Sequence, residues 1–289
     1  MSKTTDDIFS AERPRLFGIA YRMLGSVADA EDVVQEAWLR WRGHAGDDIA
    51  NPQAYLSRTV TSLSIDALRR TRRERNVYPG PWLPEPLPDA VSDDSEAHLA
   101  LAQTLSMGLL ALLETLTPSE RATFVLREAY GMAYDDIAAV LDAQPATCRQ
   151  WHRRARGRLS RIDWRDDAPQ ANRALLERFL AILHQGDASA LVALLDGDVE
   201  LVSDGGGKAV AATRPLHGRR AVSRFLLGIA HRGRGAAHVD IVPFNGRWGA
   251  VIRFDGRLDT ALSLTSHAGR VRGIYLVRNP DKLARLQAR

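Results

Sequence analysis

Between Arg149 and Arg161 the chain carries Arg153, Arg154, Arg156 and Arg158 and no carboxylate. Guanidinium groups neutralise phosphates and pair bidentately with the acceptor edge of guanine, while an amide such as Gln150 can read adenine. The first chemistry open to this chain is therefore recognition of a nucleic acid. Arg149, Gln150 and Arg153 are the candidates for base edges, and Arg154, Arg156 and Arg158 lie further along, where phosphate contact suits them better. A second basic run, Arg69, Arg70, Arg72, Arg73 and Arg75, could follow a DNA backbone. A third candidate is the string Asp204-Gly205-Gly206-Gly207-Lys208. Its glycines permit left-handed backbone and close approach, either to cradle a phosphate or to make a turn with an Asp–Lys pair. No helix is expected after it, which weakens the phosphate reading. Cys148 is the only cysteine, so neither an intramolecular disulfide nor a cysteine-based zinc site can form. No metal and no cofactor is expected.

The arginines of the first group need a scaffold, and the preceding residues supply one. Thr117-Pro118 reads as an N-cap with proline in the first helical turn, and Glu120 completes a capping box. A first helix carries Phe124, Val125 and Leu126, Gly131 ends it, and a short second helix carries Ile137, Ala138 and Leu141. After a tight turn over Asp142 to Pro145, the basic helix starts near Ala146. Two short helices with the second one basic follow the pattern of a helix-turn-helix. A solvated basic helix is the plainer alternative; the preceding helix, the turn length and the arginine density together favour DNA.

Upstream, Leu16, Ile19, Ala20, Met23 and Leu24 repeat at helical spacing up to Gly25-Ser26. The next helix turns Val33, Val34, Ala37 and Trp41 one way and Glu31, Asp32, Gln35 and Glu36 another. Its acidic face, beside Trp38, is either solvated or a dock for a basic helix. Asn51-Pro52 opens a long helix over residues 53–73. Prolines at 79, 81, 84, 86 and 88 then exclude a continuous helix and favour extended backbone, and Asp89, Asp93, Asp94 and Glu96 make the stretch acidic. Trp82-Leu83 is an apolar pair that a free spacer would not need. Residues 97–115 read as helical and apolar.

From about Asn172 the pattern changes. Two helices (172–184 and 188–195) precede strand-like runs at 199–202, 209–213, 238–244, 248–254, 260–265 and 271–277, with a helix over 219–231 among them. Asn245-Gly246 and Ala268-Gly269 are hairpin signals, and the whole indicates an α+β domain with a mainly antiparallel sheet. At 289 residues, with 45% apolar and 26% charged residues, the chain is long enough for two or three small globular domains. Its N-terminus has no apolar signal core, and no run reaches membrane length. The expectation is a cytoplasmic chain with no membrane segment.

The helix-turn-helix segment resembles region 4 of the extracytoplasmic-function (ECF) sigma factors, the small σ70-type initiation subunits of bacterial RNA polymerase. DAEDVVQEAWLRW (29–41) is similar to the region 2 segment that docks on the clamp helices of the β′ subunit. That resemblance implies core-polymerase binding by Asp32, Gln35, Glu36 and Trp38. It also implies a role in the −10 element for the basic end of the long helix, with Arg69, Arg70, Arg72 and Arg73 the named residues, although Thr61-Ser62 stand where many of these factors carry Arg-Asn. Region 4 would read the −35 element and meet the β flap. The strings GPWLPEPL, DGGGK and NPDKL match signatures of one ECF subgroup with a fused SnoaL-like C-terminal domain, a cone of curved antiparallel sheet and helices. The resemblance thus implies a multidomain chain, with two all-α sigma domains at 1–78 and 99–165, a Pro-rich acidic linker at 79–98 and an α+β cone at 170–289.

In that subgroup the interdomain regulatory residues would be Trp82, Leu83, Pro84, Glu85 and Pro86 of the linker, Asp204, Gly205, Gly206, Gly207 and Lys208, and Asn279, Pro280, Asp281, Lys282 and Leu283. The implied partners are core RNA polymerase and promoter DNA, with a small molecule or protein as a further partner of the cone. The cone would tune the sigma domains in cis, without catalysis. Enzymes of the cone fold move protons with an Asp/His pair, for which Asp204, His217, His238, Asp240 and His267 are available here. A bifunctional protein with an active cyclase or isomerase, and a DNA-binding regulator acting without core polymerase, are the alternatives.

Overall fold

The computed structural model describes residues 5–44, 49–75, 77–89, 106–159, 169–233 and 237–287. Asp93, Asp94, Glu96, Leu99, Leu101, Leu105 and Arg161 lie outside the described residues, as does the side chain of Arg73. The chain divides into two compact units: residues 1–76 with 112–161, and residues 77–111 with 162–289.

In the first unit, α1 (Thr5–Leu24), α2 (Val27–Gly43) and α3 (Pro52–Arg75) pack together. The helical repeat of the sequence is the core: Leu16, Ile19, Ala20, Met23 and Leu24 are buried against Val33, Val34, Ala37 and Trp41. Gly25, at φ 67°, turns the chain, and the Ser26 hydroxyl caps α2 by accepting from the Asp29 N–H at 3.2 Å. The second part of this unit is the expected helix-turn-helix. Thr117 and Glu120 form the reciprocal capping box at the start of α5 (Pro118–Phe124), which follows the short α4 (Met107–Leu113). A wider turn, Val125–Ala129, extends α5 to Gly131 at φ 64°. Then come α6 (Tyr134–Leu141), closed by Asp142 in the left-handed region at φ 50°, and the basic helix α7 (Pro145–Leu159).

The second unit is built on a six-stranded mixed sheet, ordered β2-β1-β6-β5-β4-β3. The strands are β1 (Leu195–Asp204), β2 (Leu216–His217), β3 (Ala237–Phe244), β4 (Arg247–Phe254), β5 (Arg257–His267) and β6 (Arg270–Val277). Only β1 with β6 is parallel, because β1 is separated from the meander by a helical crossover. The turns Asn245-Gly246, Asp255-Gly256 and Ala268-Gly269 have positive φ at both positions, as two-residue hairpins require. Residues 209–213, expected as a strand, form an irregular loop after the glycines, and the short strand falls instead at 216–217.

Both faces of this sheet are covered, so its central strands read as unbroken apolar runs such as Ile274-Tyr275-Leu276-Val277. On the inner face, Leu201, Leu262, Leu264, Ile274 and Leu276 pack against α8 (Pro169–Gln185), α9 (Ala188–Leu194) and α10 (Arg219–Arg232). On the outer face, Val251, Ala261, Tyr275 and Val277 pack against Leu83, Met107 and the C-terminal α11 (Pro280–Gln287), through Leu283 and Leu286. The proline-rich segment is thus part of this unit. It runs beside β3, with the Asn245 N–H donating to the Leu87 carbonyl at 2.8 Å and the Leu87 N–H to Asn245 Oδ1 at 2.9 Å.

Candidate nucleic-acid interface and linker clamp

On α7 the helical repeat sorts the side chains. Cys148, His152, Ala155 and Leu159 are buried, which leaves Arg149, Gln150, Arg153, Arg154 and Arg156 exposed along the opposite side. His152 fixes the helix to its support: Nδ1 meets the Tyr134 hydroxyl at 2.9 Å and Nε2 meets Glu128 at 2.8 Å. Arg149 lies over the Tyr134 ring at 5.7 Å, and Trp151 is half-buried. Arg158 pairs with Glu120 at 2.7 Å, so the capping-box carboxylate also holds the far end of the basic helix. Burial pushes the Cys148 thiol up, which makes it a packing residue with little thiolate.

On α2, Asp32, Gln35 and Glu36 are exposed on one face, and Leu39 continues that face as one of the exposed large apolar residues. Trp38 is half-buried, its ring 4.9 Å from Phe9 with Arg42 over it at 5.7 Å. On α3, Arg69 and Arg70 are exposed, Ser62 is exposed and Thr61 is buried. Arg72 is committed inside the unit, donating to the Leu116 carbonyl.

That bond belongs to a polar seam between α1–α3 and the helix-turn-helix, which no motif announced. Arg121 is fully buried, donating to the Arg22 carbonyl at 2.9 Å and to Glu114 at 2.5 Å. Arg75 donates to the same Glu114 and to the Leu24 carbonyl. Burial by itself would raise the Glu114 carboxyl; Arg121 and Arg75 together hold it below its ordinary value. Arg22 donates to the Tyr130 hydroxyl at 3.1 Å, Tyr130 donates to the Arg15 carbonyl at 3.3 Å, and burial pushes the Tyr130 phenol up.

In the second unit, the motif residues of the linker, the glycine loop and the C-terminal turn meet. The fully buried Asp204 carboxylate accepts from the Tyr78 hydroxyl at 2.7 Å, the Leu83 N–H at 2.9 Å, the Gly206 N–H at 3.0 Å and Lys282 Nζ at 2.7 Å. Lys282 also donates to the Leu83 carbonyl and lies over the rings of Trp82 at 4.0 Å and Tyr78 at 5.1 Å. Burial, and then the bond to Asp204, pushes the Tyr78 phenol well up. Asn279 donates to the Tyr78 oxygen at 2.9 Å and caps the following turn. The charges pair across the two strings, Asp204 with Lys282 and Lys208 with Asp281, so the Asp204–Lys208 turn pair, one of the two readings of that string, does not form. Glu85 pairs with Arg285 at 3.4 Å, and Pro84 and Pro86 are buried beside it.

The glycines are explained by this packing. A Cβ on Gly205 would overlap the Ala209 carbonyl, one on Gly206 (φ 57°) would strike the Asn279 amide, and one on Gly207 (φ 71°) would press on Pro79. The loop closes on the chain itself, and none of its observed contacts resembles a phosphate cradle.

The five Asp/His candidates do not converge. His238 and Asp240 meet at 2.9 Å, but on the exposed side of β3, since the alternate residues Val239 and Ile241 face a cavity. His217 and His267 are exposed, and Asp204 is spent on the clamp.

The family models agree with this architecture. Sigma-70 region 2 matches residues 8–74 and Sigma-70 region 4 matches residues 106–159. The ECF RNA polymerase sigma factor SigJ of Mycobacterium tuberculosis is 34% identical over 288 residues, covering 95% of this chain and 91% of its own. The chain belongs to the ECF RNA polymerase sigma factors. A probable ECF sigma factor of the same organism, SigI, is 32% identical over 96% of this chain and 94% of its own. The crystal structure of Mycobacterium tuberculosis SigJ superposes with a TM-score of 0.78 at 33% identity, covering 96% of this chain and 97% of that one. Sigma factors of this type bring core RNA polymerase to promoter DNA, and the helix-turn-helix of this one is its DNA-binding element. No described helix is long and apolar enough to cross a membrane.

Proposed function

We propose that this ECF sigma factor is regulated in cis by its fused α+β domain, through the clamp on the linker. The observation that carries the reading is the buried Asp204 carboxylate, which holds Tyr78 and the Leu83 amide together with Lys282. Residues 76–106 could span about 100 Å if extended. With residues 77–89 bound along the outer face of the sheet, the tether between regions 2 and 4 follows a fixed path for its first half. The domain organisation proposed is region 2 at 1–78, linker at 79–98, region 4 at 99–165 and the regulatory domain at 170–289.

In the holoenzyme, Asp32, Gln35, Glu36 and Trp38 dock on the β′ clamp helices, and region 4 meets the β flap. Arg149, Gln150 and Arg153 read −35 bases from the major groove, with Arg154 and Arg156 on phosphates. Arg69, Arg70, Arg72 and Arg73 attend the −10 strand. The two elements lie about 25 base pairs, or about 85 Å, apart along the duplex. A compact body the size of the first unit has a radius of gyration of about 14 Å. It cannot reach both elements while its seam is closed. Promoter engagement therefore opens the seam, which frees Arg72, and the clamped linker biases that opening. All of this takes place in the cytoplasm, with the polymerase.

Run-off transcription with core RNA polymerase tests the reading, comparing the full chain with Asp204→Asn. Promoter-specific transcripts from the full chain, changed several-fold by the substitution, are expected. Equal yields from the two proteins would remove the clamp from regulation.

A further inference from the structure

The inner face of the sheet and helices α8 and α10 line a half-open cavity of about 1200 Å³. This exceeds the roughly 300–1,000 Å³ that suffices for a drug-sized ligand. Its walls are apolar: Leu180, Phe225, Ile229, Ile241, Phe254 and Leu262 are among its lining residues. One end is polar, and the backbone makes it so on purpose. Ile252 pairs with Thr260 but Arg253 pairs with Leu258, so Asp259 is an extra residue in β5. Such a bulge re-aims a side chain that strict alternation would send to the other face. Asp259 and Thr260 both line the cavity as a result.

Asp259 is held by Arg278, from Nη2 at 2.8 and 2.9 Å and from Nε at 3.2 Å, and accepts from the Thr260 hydroxyl at 2.6 Å. The two ionised side chains remain 31% and 25% exposed, so they are presented to the cavity rather than sealed off. The pair is electrically neutral as a whole, yet offers a carboxylate edge that accepts and a guanidinium that donates. Arg232, a further charged lining residue, is exposed to solvent and screened by water, so a net charge brought among the apolar walls would lose its hydration with little opposite charge to offset it.

We infer that the cavity is a binding site for an uncharged, mostly apolar molecule carrying a hydroxyl, held at the Asp259–Arg278 pair. The site also lies where occupancy could be read. Ser203 and Arg278 line the cavity, while their chain neighbours Asp204 and Asn279 belong to the clamp, and the Arg278 and Asn279 N–H groups both bond the Asp204 carbonyl, at 2.7 and 3.0 Å. This last consequence rests on the regulatory role proposed above; ligand binding itself does not.

The test uses the full chain and the uncharged dye Nile red, with 1-naphthol, naphthalene and 2-naphthoate as competitors. Saturable, blue-shifted fluorescence is expected, displaced by 1-naphthol more effectively than by naphthalene and not by the naphthoate anion. Asp259→Asn should weaken 1-naphthol at least about tenfold while leaving naphthalene unchanged, the loss of one hydrogen bond to a charged acceptor. Ile241→Trp, which fills the cavity, should abolish dye binding in a protein whose far-ultraviolet circular dichroism is unaltered. Absence of saturable binding, equal competition by the anion, or indifference of 1-naphthol to Asp259→Asn would each overturn the inference. Run-off yield with and without 1-naphthol then tests the regulatory link separately: binding without any change in yield would leave the site standing and count against the clamp.

Discussion

The seam of the first unit and the clamp of the second both bury charge, and they do so in different ways. In the seam, arginines from α3 and α5 reach mainly backbone carbonyls, those of Arg22, Leu24 and Leu116, around one carboxylate, Glu114. In the clamp, one carboxylate collects a hydroxyl, two amides and an ammonium, and no bonding position is left to water. Carbonyls are acceptors that every residue carries, and each bond the seam loses on opening can be remade to water or phosphate. The clamp gathers its donors on a single fully buried ion, so losing one partner leaves the others around an incompletely compensated charge. The difference fits the proposed roles, a seam that opens on promoter engagement and a clamp that keeps the linker in place.

That contrast can be broken most forcibly at the clamp. Asp204→Ala leaves Lys282, only 12% exposed at its side chain, without its counter-charge, and should cost about 3–5 kcal/mol. Amide hydrogen exchange should show the Leu83 N–H losing its protection while the amides of α1–α3 keep theirs.

At the seam the expected effect is smaller. Glu114→Gln retains one acceptor and should cost about 2 kcal/mol at neutral pH. The sign with pH follows from the carboxyl's position. Its folded value lies below the unfolded one, so the stabilisation is complete above the ordinary glutamate range and is lost as pH falls through the folded value. Urea unfolding of the wild type at a series of pH values should show that acid limb, and the Gln variant should lack this contribution.

Gly207→Ala probes the clamp with no change of charge. A Cβ there would sit 3.0 Å from the Pro79 ring, on backbone at φ 71°. A cost of about 1 kcal/mol is expected, read as a small drop in melting temperature.

The same contrast explains what could be read from the chain. Surfaces were legible where spacing decides exposure. The repeat that buries Cys148, His152, Ala155 and Leu159 necessarily exposes Arg149, Gln150, Arg153, Arg154 and Arg156. The capping box at Thr117 and Glu120 was legible for the same local reason. The clamp was visible as three strings, but their pairing was not, because Asp204 and Lys282 are 78 residues apart and Lys208 was the nearer cation. The seam leaves no mark in the sequence, since a carbonyl acceptor has no signature there; Arg22, Glu114, Arg121 and Tyr130 therefore carry no motif. Asp259 was hidden by the bulge, which breaks the period of two that assigns a residue to a face. Residues 209–213 have a strand-like pattern, but the packing of the glycines before them holds the segment as a loop.

The central claim is that the seam opens when this sigma factor engages polymerase and promoter. It is tested most directly by energy transfer between dyes on Ala11→Cys and Asp136→Cys, exposed positions on either side of the seam. The buried Cys148 thiol, with its raised pKa, should leave the two new cysteines as the labelled ones. High transfer is expected in the free protein, with a marked fall when core polymerase and promoter DNA are added and specific transcripts from the same labelled sample. Transfer that stayed high in a transcribing complex would contradict it.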